Sequence, residues 1–322
     1  MSKGKRVLFA IDDSDFSRQA LLKTGELLKT DEDFNITLFH GAPRSETCLP
    51  AELISADATA IEKHREFLNL KAQEVLESAK AALIEIGYTP DRLAVILEEE
   101  CNNPAVSMLK IADSESIQTL ALGRWGRSSV SRQIIGSVTY HLAQEADNLA
   151  LWIIDPRICS HNVLVGLTGA PISHRVVDYT LRHFTHLREN RFTLFHVIPP
   201  FPPQGLDSVD LNGIEADEDR QKMIGKTVFL HLKEYTEKVK TIAGDAREKL
   251  IAAGIPEENV HLKIQAQKRG IARDILEELE EGNHGILVIG RRGFKDIKEF
   301  GMGSKANKLL IKARAFNLCL VN

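Results

Sequence analysis

Aromatic side chains are scarce in this chain, at 6% of 322 residues, with only two tryptophans among them. Cysteine is scarcer still. The four present, Cys48, Cys101, Cys159 and Cys319, are far apart, and none forms a C-x-x-C pair. That spacing speaks against a disulfide framework or a zinc site and for free thiols in a reducing compartment. No apolar run approaches the length of a membrane span. The start, Met-Ser-Lys-Gly-Lys-Arg, is basic, but the apolar stretch Val7–Ile11 is short and ends in Asp12-Asp13, so it does not read as a signal peptide. Neither sign of charge dominates. Lys and Arg number 41 against 45 Asp and Glu, a formal net charge of -4, which gives no attraction for nucleic acid or an anionic membrane surface. A cytoplasmic protein with neither nucleic acid nor membrane as partner is the expectation. What remains is ordinary for a soluble globular chain, 43% apolar and 27% charged, and its length exceeds what one core usually holds. Two domains are therefore expected.

The chain repeats itself. Arg6-Val7-Leu8-Phe9-Ala10-Ile11 corresponds to Asn162-Val163-Leu164-Val165-Gly166-Leu167. Ile36-Thr37-Leu38-Phe39-His40 corresponds to Phe192-Thr193-Leu194-Phe195-His196 at the same offset of 156 residues. Leu120-Ala121-Leu122-Gly123 then matches Leu287-Val288-Ile289-Gly290 at an offset of 167, so the second half has gained 11 residues in between. The proline-rich stretch Pro199–Gly205 is the expected place for them, because prolines join neither a ladder nor a helix interior. Each half alternates strand and helix patterns. In the first half, strands are expected at about 5–11, 34–41, 92–99, 117–122 and 149–154. In the second they are expected at 162–167, 191–198, 259–265, 285–289 and 316–321. The long helix after the second strand of each half should end near Gly87 and Gly254, which suit left-handed caps. Such alternation implies βαβ units around a parallel sheet. The seam falls at Asp155-Pro156-Arg157, giving domains 1–156 and 157–322.

After the fourth strand of the first half stands Gly123-Arg124-Trp125-Gly126, then nine residues, then Gly136-Ser137. The second half has Gly290-Arg291-Arg292-Gly293, nine residues, then Gly303-Ser304. A G-x2-G-x9-G-S pattern in this place reads as a phosphate cradle. Glycines let backbone N–H groups approach a bulky anion. The following helix presents free N–H groups and the positive end of its dipole. Ligands in open parallel sheets also sit beyond the carboxyl ends of the strands. The plain alternative is that these glycines only end strands and cap helices.

With its repeat, its opening Val7–Asp12 and its Leu-Phe-His strands, the whole chain resembles the universal stress protein family, twice over. The resemblance implies two tandem open five-stranded parallel sheets of order 3-2-1-4-5, with helices on both faces. It implies a stress-response protein that binds ATP or a related adenine nucleotide, ADP or AMP, in a regulatory role. Any Mg²⁺ would be held through the phosphates. By the same resemblance Asp12 contacts the adenosine end; its structural alternative is an N-cap shared with Asp13, Ser14 or Asp15. Gly41, Ala42 and Leu122 border the adenine. Gly123, Gly126, Gly136, Ser137, Val138 and Thr139 form the phosphate and ribose side, with Arg124, Arg127 and Arg132 as further charges. The fifth strands of paired domains commonly meet in this family, so the resemblance implies intramolecular pairing of the two domains, Leu149–Ile154 beside Leu318–Val321. It leaves open whether two chains form a homodimer.

The second half departs from the pattern. Thr168 stands opposite Asp12, while Val197, Gly290, Gly293, Gly303 and Ser304 remain, joined by Arg291, Arg292 and Lys295. Its phosphate side is kept and its adenosine side altered, so weaker adenine-nucleotide binding, a different phosphate-bearing ligand or an empty site is expected. His40 and His196 end equivalent strands without clustered partners and read as core or edge histidines. No nucleophile–base pair makes a catalytic reading specific. The alternatives are a scaffold or interaction module that has kept the fold without nucleotide binding, or a weak ATP-hydrolysing enzyme.

Overall fold

The computed structural model describes residues 4–44, 58–126, 135–158, 160–200, 218–291, 304–312 and 314–322. It divides into two compact units, Met1–Ile158 with Arg314–Leu320, and Cys159–Ala313 with Val321–Asn322.

In the first unit, β1 (Lys5–Ala10) and β4 (Thr119–Gly123) are buried on both faces, which is why they read as continuous apolar runs and not as alternating ones. They run parallel, Val7 opposite Thr119. On the other side of β1 lies β2 (Phe34–Pro43), then β3 (Leu93–Cys101); β5 (Ala150–Ile154) flanks β4. The strand order is 3-2-1-4-5, as the resemblance implied. α1 (Asp15–Leu28) packs on α2 (Ala58–Glu85), and α3 (Pro104–Ser114) packs on α4 (Ser137–Glu145). Local signals set the helix starts. The Ser14 side chain accepts from the Ser17 N–H, and Asn103 accepts from the Ala105 and Val106 N–H groups with Pro104 in the first turn. β10 (Asn317–Val321) runs antiparallel to β5, with Leu318 opposite Ile153 and Leu320 opposite Leu151.

The second unit repeats the plan. β6 (Val163–Gly166) lies between β9 (Ile286–Gly290) and β7 (Phe192–Ile198), with β8 (Val260–Ala266) outside β7. The Arg291 N–H, just past β9, donates to Val321 O, as Arg124, past β4, donates to Ile154 O. α5 (Ile172–Phe184) packs on α6 (Glu218–Ala252), and α7 (Ile271–Glu281) on α8 (Ser304–Lys312). Gly87 and Gly254, beyond the long helices, have φ of +108° and +92°, which a side chain would strain.

Of Pro199–Gly205, the expected place for the second half's extra residues, 201–205 lie outside the described ones. One expectation needs correction: β2 runs on to Pro43, past the expected end at residue 41, so Ala42 too lies in the strand. Gly41 pairs opposite Glu98 of β3 before the register shifts towards Pro43.

Candidate functional site

The carboxyl ends of β1, β2 and β4 open into a cavity of about 470 Å³ in the first unit. This is where an open parallel sheet leaves a crevice, because chains leaving β1 and β4 cross to opposite faces. Asp12, Gly41, Leu122, Gly123, Gly126, Gly136, Ser137, Val138 and Thr139, separated by up to 127 residues in sequence, all line this one cavity.

Asp12 sits just past β1. Its Oδ1 accepts from the Ser14 N–H at 3.1 Å and from the Ser14 hydroxyl at 2.5 Å, and its own N–H donates to Ser17 Oγ at 3.2 Å. One carboxylate oxygen thus steadies the α1 cap, whose capping residue is Ser14. The other, Oδ2, faces Gly126 so closely that a methyl on that glycine would come within 2.5 Å of it. The two sequence readings of Asp12, cap and cavity group, are therefore compatible in one side chain.

The glycine loop is tied down at both ends. The Gly136 N–H donates to Arg124 O at 3.2 Å, and the Thr139 hydroxyl donates to Gly123 O at 3.2 Å. Gly136 caps α4 in extended conformation, so the first turn of this nine-residue helix stands at the cavity with N–H groups the helix itself does not use. Ser137 is exposed, Val138 half-buried.

Gly41 and Cys101 stand together at the opposite end of the cavity. A side chain on Gly41 would meet Cys101 Sγ at 2.6 Å, so Cys101 on β3 takes the room that Gly41 leaves. Burial raises the Cys101 thiol, with Ser107 Oγ at 3.7 Å acting against it, so this thiol is the neutral and inert form. Cys101, Asn102, Pro43 and Trp125 line the cavity and were not singled out from sequence. Position at the carboxyl ends of β2, β3 and β4 was the signal that could have found them. Trp125 is buried, edge-on to Phe16 at 4.7 Å, with the Arg157 guanidinium 5.0 Å from its ring.

Arg124 is a correction. Instead of lending its charge to the cavity it is buried, 1% exposed, and does not line it. Burial lowers its guanidinium to about 10 against the opposing pull of Asp155. Asp155 is itself fully buried. It accepts from Arg157 Nε at 2.8 Å and Nη2 at 2.5 Å, and from the Arg157 and Ala315 N–H groups at 3.1 and 2.9 Å. Arg127 and Arg132 lie outside the described residues.

In the second unit Thr168 reproduces the Asp12 turn without the charge. Its Oγ1 accepts from the Ala170 N–H at 3.1 Å, and its N–H donates to Ser173 Oγ at 2.7 Å. Gly290 ends β9, Ser304 opens α8, and Val197 is buried in β7. Arg291 is buried, 2% exposed, like Arg124, and so does not enrich the loop surface in charge. Gly293, Gly303, Arg292 and Lys295 lie outside the described residues. His40 and His196 each approach a main-chain carbonyl with Nδ1, Ile11 O at 2.6 Å and Leu167 O at 2.8 Å, which fixes the proton on Nδ1. Among the described residues no helix is long and apolar enough to cross a membrane.

The sequence model of the universal stress protein family matches residues 4–148 and again 160–315. Among solved structures, the chain is similar to a universal stress protein from Archaeoglobus fulgidus DSM 4304, at 17% identity and TM-score 0.62, covering 98% of each chain. It is also similar to a functionally unknown protein from Pseudomonas aeruginosa PAO1, at 14% identity and TM-score 0.57, covering 99% of this chain and 92% of that one. No curated protein matches.

Proposed function

The chain belongs to the universal stress protein family, with two such domains in tandem, and from that premise we propose that its first domain binds an adenine nucleotide in a regulatory role. The observation that carries this reading is the convergence on one cavity of Asp12, Gly126 and the free first turn of α4. The α4 end and the glycine loop offer N–H groups and a positive dipole to phosphates. Asp12 Oδ2 offers an anionic acceptor to a hydroxyl, as a ribose presents. Phe39, Pro43, Leu122 and Ile11 give an apolar wall for a base. The volume, about 470 Å³, lies within the range of small-molecule sites.

In this reading ATP, ADP or AMP is the ligand, Mg²⁺ comes with the phosphates, and the protein works in the cytoplasm during stress, sensing or holding nucleotide. Among the described residues lining the cavity, the Cys101 thiol is kept neutral and the Thr139 hydroxyl is given to Gly123 O. Isothermal titration of purified protein with ATP, together with mass spectrometry of ligand released on denaturation, tests the reading. Saturable binding that Asp12→Ala weakens supports it. A protein that carries no nucleotide and fails to titrate is a scaffold instead.

A further inference from the structure

Tyr235, on α6, reaches the strand ends of the second unit. Its ring lies against His196, centroids 5.6 Å apart, and its Oη accepts from the Gly169 N–H at 3.4 Å. In the repeat, Leu167, Thr168 and His196 are the counterparts of Ile11, Asp12 and His40, all three of which line the cavity of the first unit. Tyr235 therefore touches, in the second unit, the place where the first unit is open. Its counterpart on α2 at the offset of 167 is Leu68, which is not among the residues lining the first cavity. A phenol is flat, apolar on its faces and polar at one edge, much as a purine is.

His196 supplies a second observation. With Nδ1 donating to Leu167 O, its Nε2 is an acceptor, and that atom is buried without a hydrogen-bond partner among the described residues. A buried acceptor left unpaired is destabilising. The ring of Tyr235 covers this side of the unit without satisfying it, and burial lowers the imidazole as it raises the tyrosine hydroxyl.

We propose that Tyr235 is the specificity residue of the second unit: its phenol fills the nucleoside end of that unit's site and excludes adenine nucleotides, so that the chain has one nucleotide site and not two. The inference rests on the nucleotide reading of the first domain, yet its test is separate, because it is read as a difference between variants. ATP titration by calorimetry gives the number of sites in wild type, Tyr235→Phe and Tyr235→Ala. Tyr235→Phe keeps the ring and the wild-type number. Tyr235→Ala gains one site, several-fold weaker than the first because Thr168 lacks the carboxylate of Asp12. In histidine-selective NMR, the His196 ring titrates closer to its ordinary value in Tyr235→Ala, and its signal shifts on ATP addition in that variant alone. An unchanged site number in a folded Tyr235→Ala, or two sites in wild type, overturns the proposal. So does a His196 titration indifferent to the loss of the ring. Absence of binding in wild type with one site gained in Tyr235→Ala would instead overturn the reading of the first domain and leave this one standing.

Discussion

Replacing Asp155 with alanine should destabilise the first unit by about 3 kcal/mol, near the lower end of the cost of breaking a buried ion pair. The carboxylate is fully buried and takes four hydrogen bonds, two from the Arg157 guanidinium and one each from the Arg157 and Ala315 main chains. Arg157 is 48% exposed, so water recovers much of its loss, which argues for the lower end. The buried Arg124, which has Arg157 and Arg314 as positive neighbours, has no such recourse. Asp155→Asn keeps one acceptor oxygen and should cost about 2 kcal/mol. Both tryptophans, Trp125 and Trp152, lie in the first unit, so tryptophan emission during urea unfolding reads that unit alone. With a slope of about 2 kcal/mol per molar urea, the midpoint should fall by roughly 1.5 M in Asp155→Ala. Burial by itself would raise the Asp155 carboxyl, but the Arg157 and Ala315 hydrogen bonds outweigh it and hold it below its ordinary value. A depressed native value gives stability that is present above the unfolded value, about 4, and lost as pH falls through the native one. The gap between wild type and Asp155→Asn should therefore close below about pH 4. A midpoint shift under about 0.5 M at unchanged slope would refute the assignment of Asp155 as the anchor of this corner.

Four further outcomes are expected. Gly126→Val should weaken ATP binding at least ten-fold by calorimetry, because its first side-chain carbon falls 2.5 Å from Asp12 Oδ2; unchanged affinity would remove this glycine from the site. Asp12→Ala should weaken ATP several-fold while inorganic phosphate changes less, and equal loss of both would make Asp12 a fold residue only. Gly293→Val should leave the tighter ATP site untouched; its loss there would put the working site in the second domain. Tyr88→Phe, which removes the 3.1 Å hydrogen bond to Gly25 O, should cost about 1 kcal/mol in the same urea assay. Burial raises the Tyr88 hydroxyl to about 12, above the unfolded value, so its contribution is complete below pH 10 and vanishes as pH climbs through 12.

Much of the fold was legible because its cues are local or repeated. The cap around Ser14, the left-handed Gly87 and Gly254 and the apolar runs of β1 and β4 each announce an element to within a residue or two. The repeat fixed what single segments left ambiguous. Three features were not legible, each for a physical reason. The extension of β2 to Pro43 depends on pairing with Glu98 and Cys101 of β3, a partner more than fifty residues away. The burial of Arg124 and Arg291 runs against the usual fate of arginine, and only the packing around the end of the strand decides it. Tyr235 looks like any helical aromatic until α6 is laid against the ends of β6 and β7. Of the candidate site, the glycine loop was readable as a motif and Asp12 through the family resemblance, while Cys101 and Trp125 came only with the geometry.

The pairing of β5 with β10 has a consequence for how the chain is made. β5 ends at Ile154, and its partner begins at Asn317, so the ribosome must add the entire intervening stretch before that ladder can close. At about 5–20 residues per second this takes roughly ten to thirty seconds. Throughout that interval the nascent first unit carries a five-residue edge, Ala150-Leu151-Trp152-Ile153-Ile154, with nothing but apolar side chains. Such an edge is a template for foreign strands. A ribosome that stalls or terminates early therefore releases a first unit with this margin uncovered, and chaperone demand for this chain should span the second half of its translation, from the emergence of β5 until β10 is made.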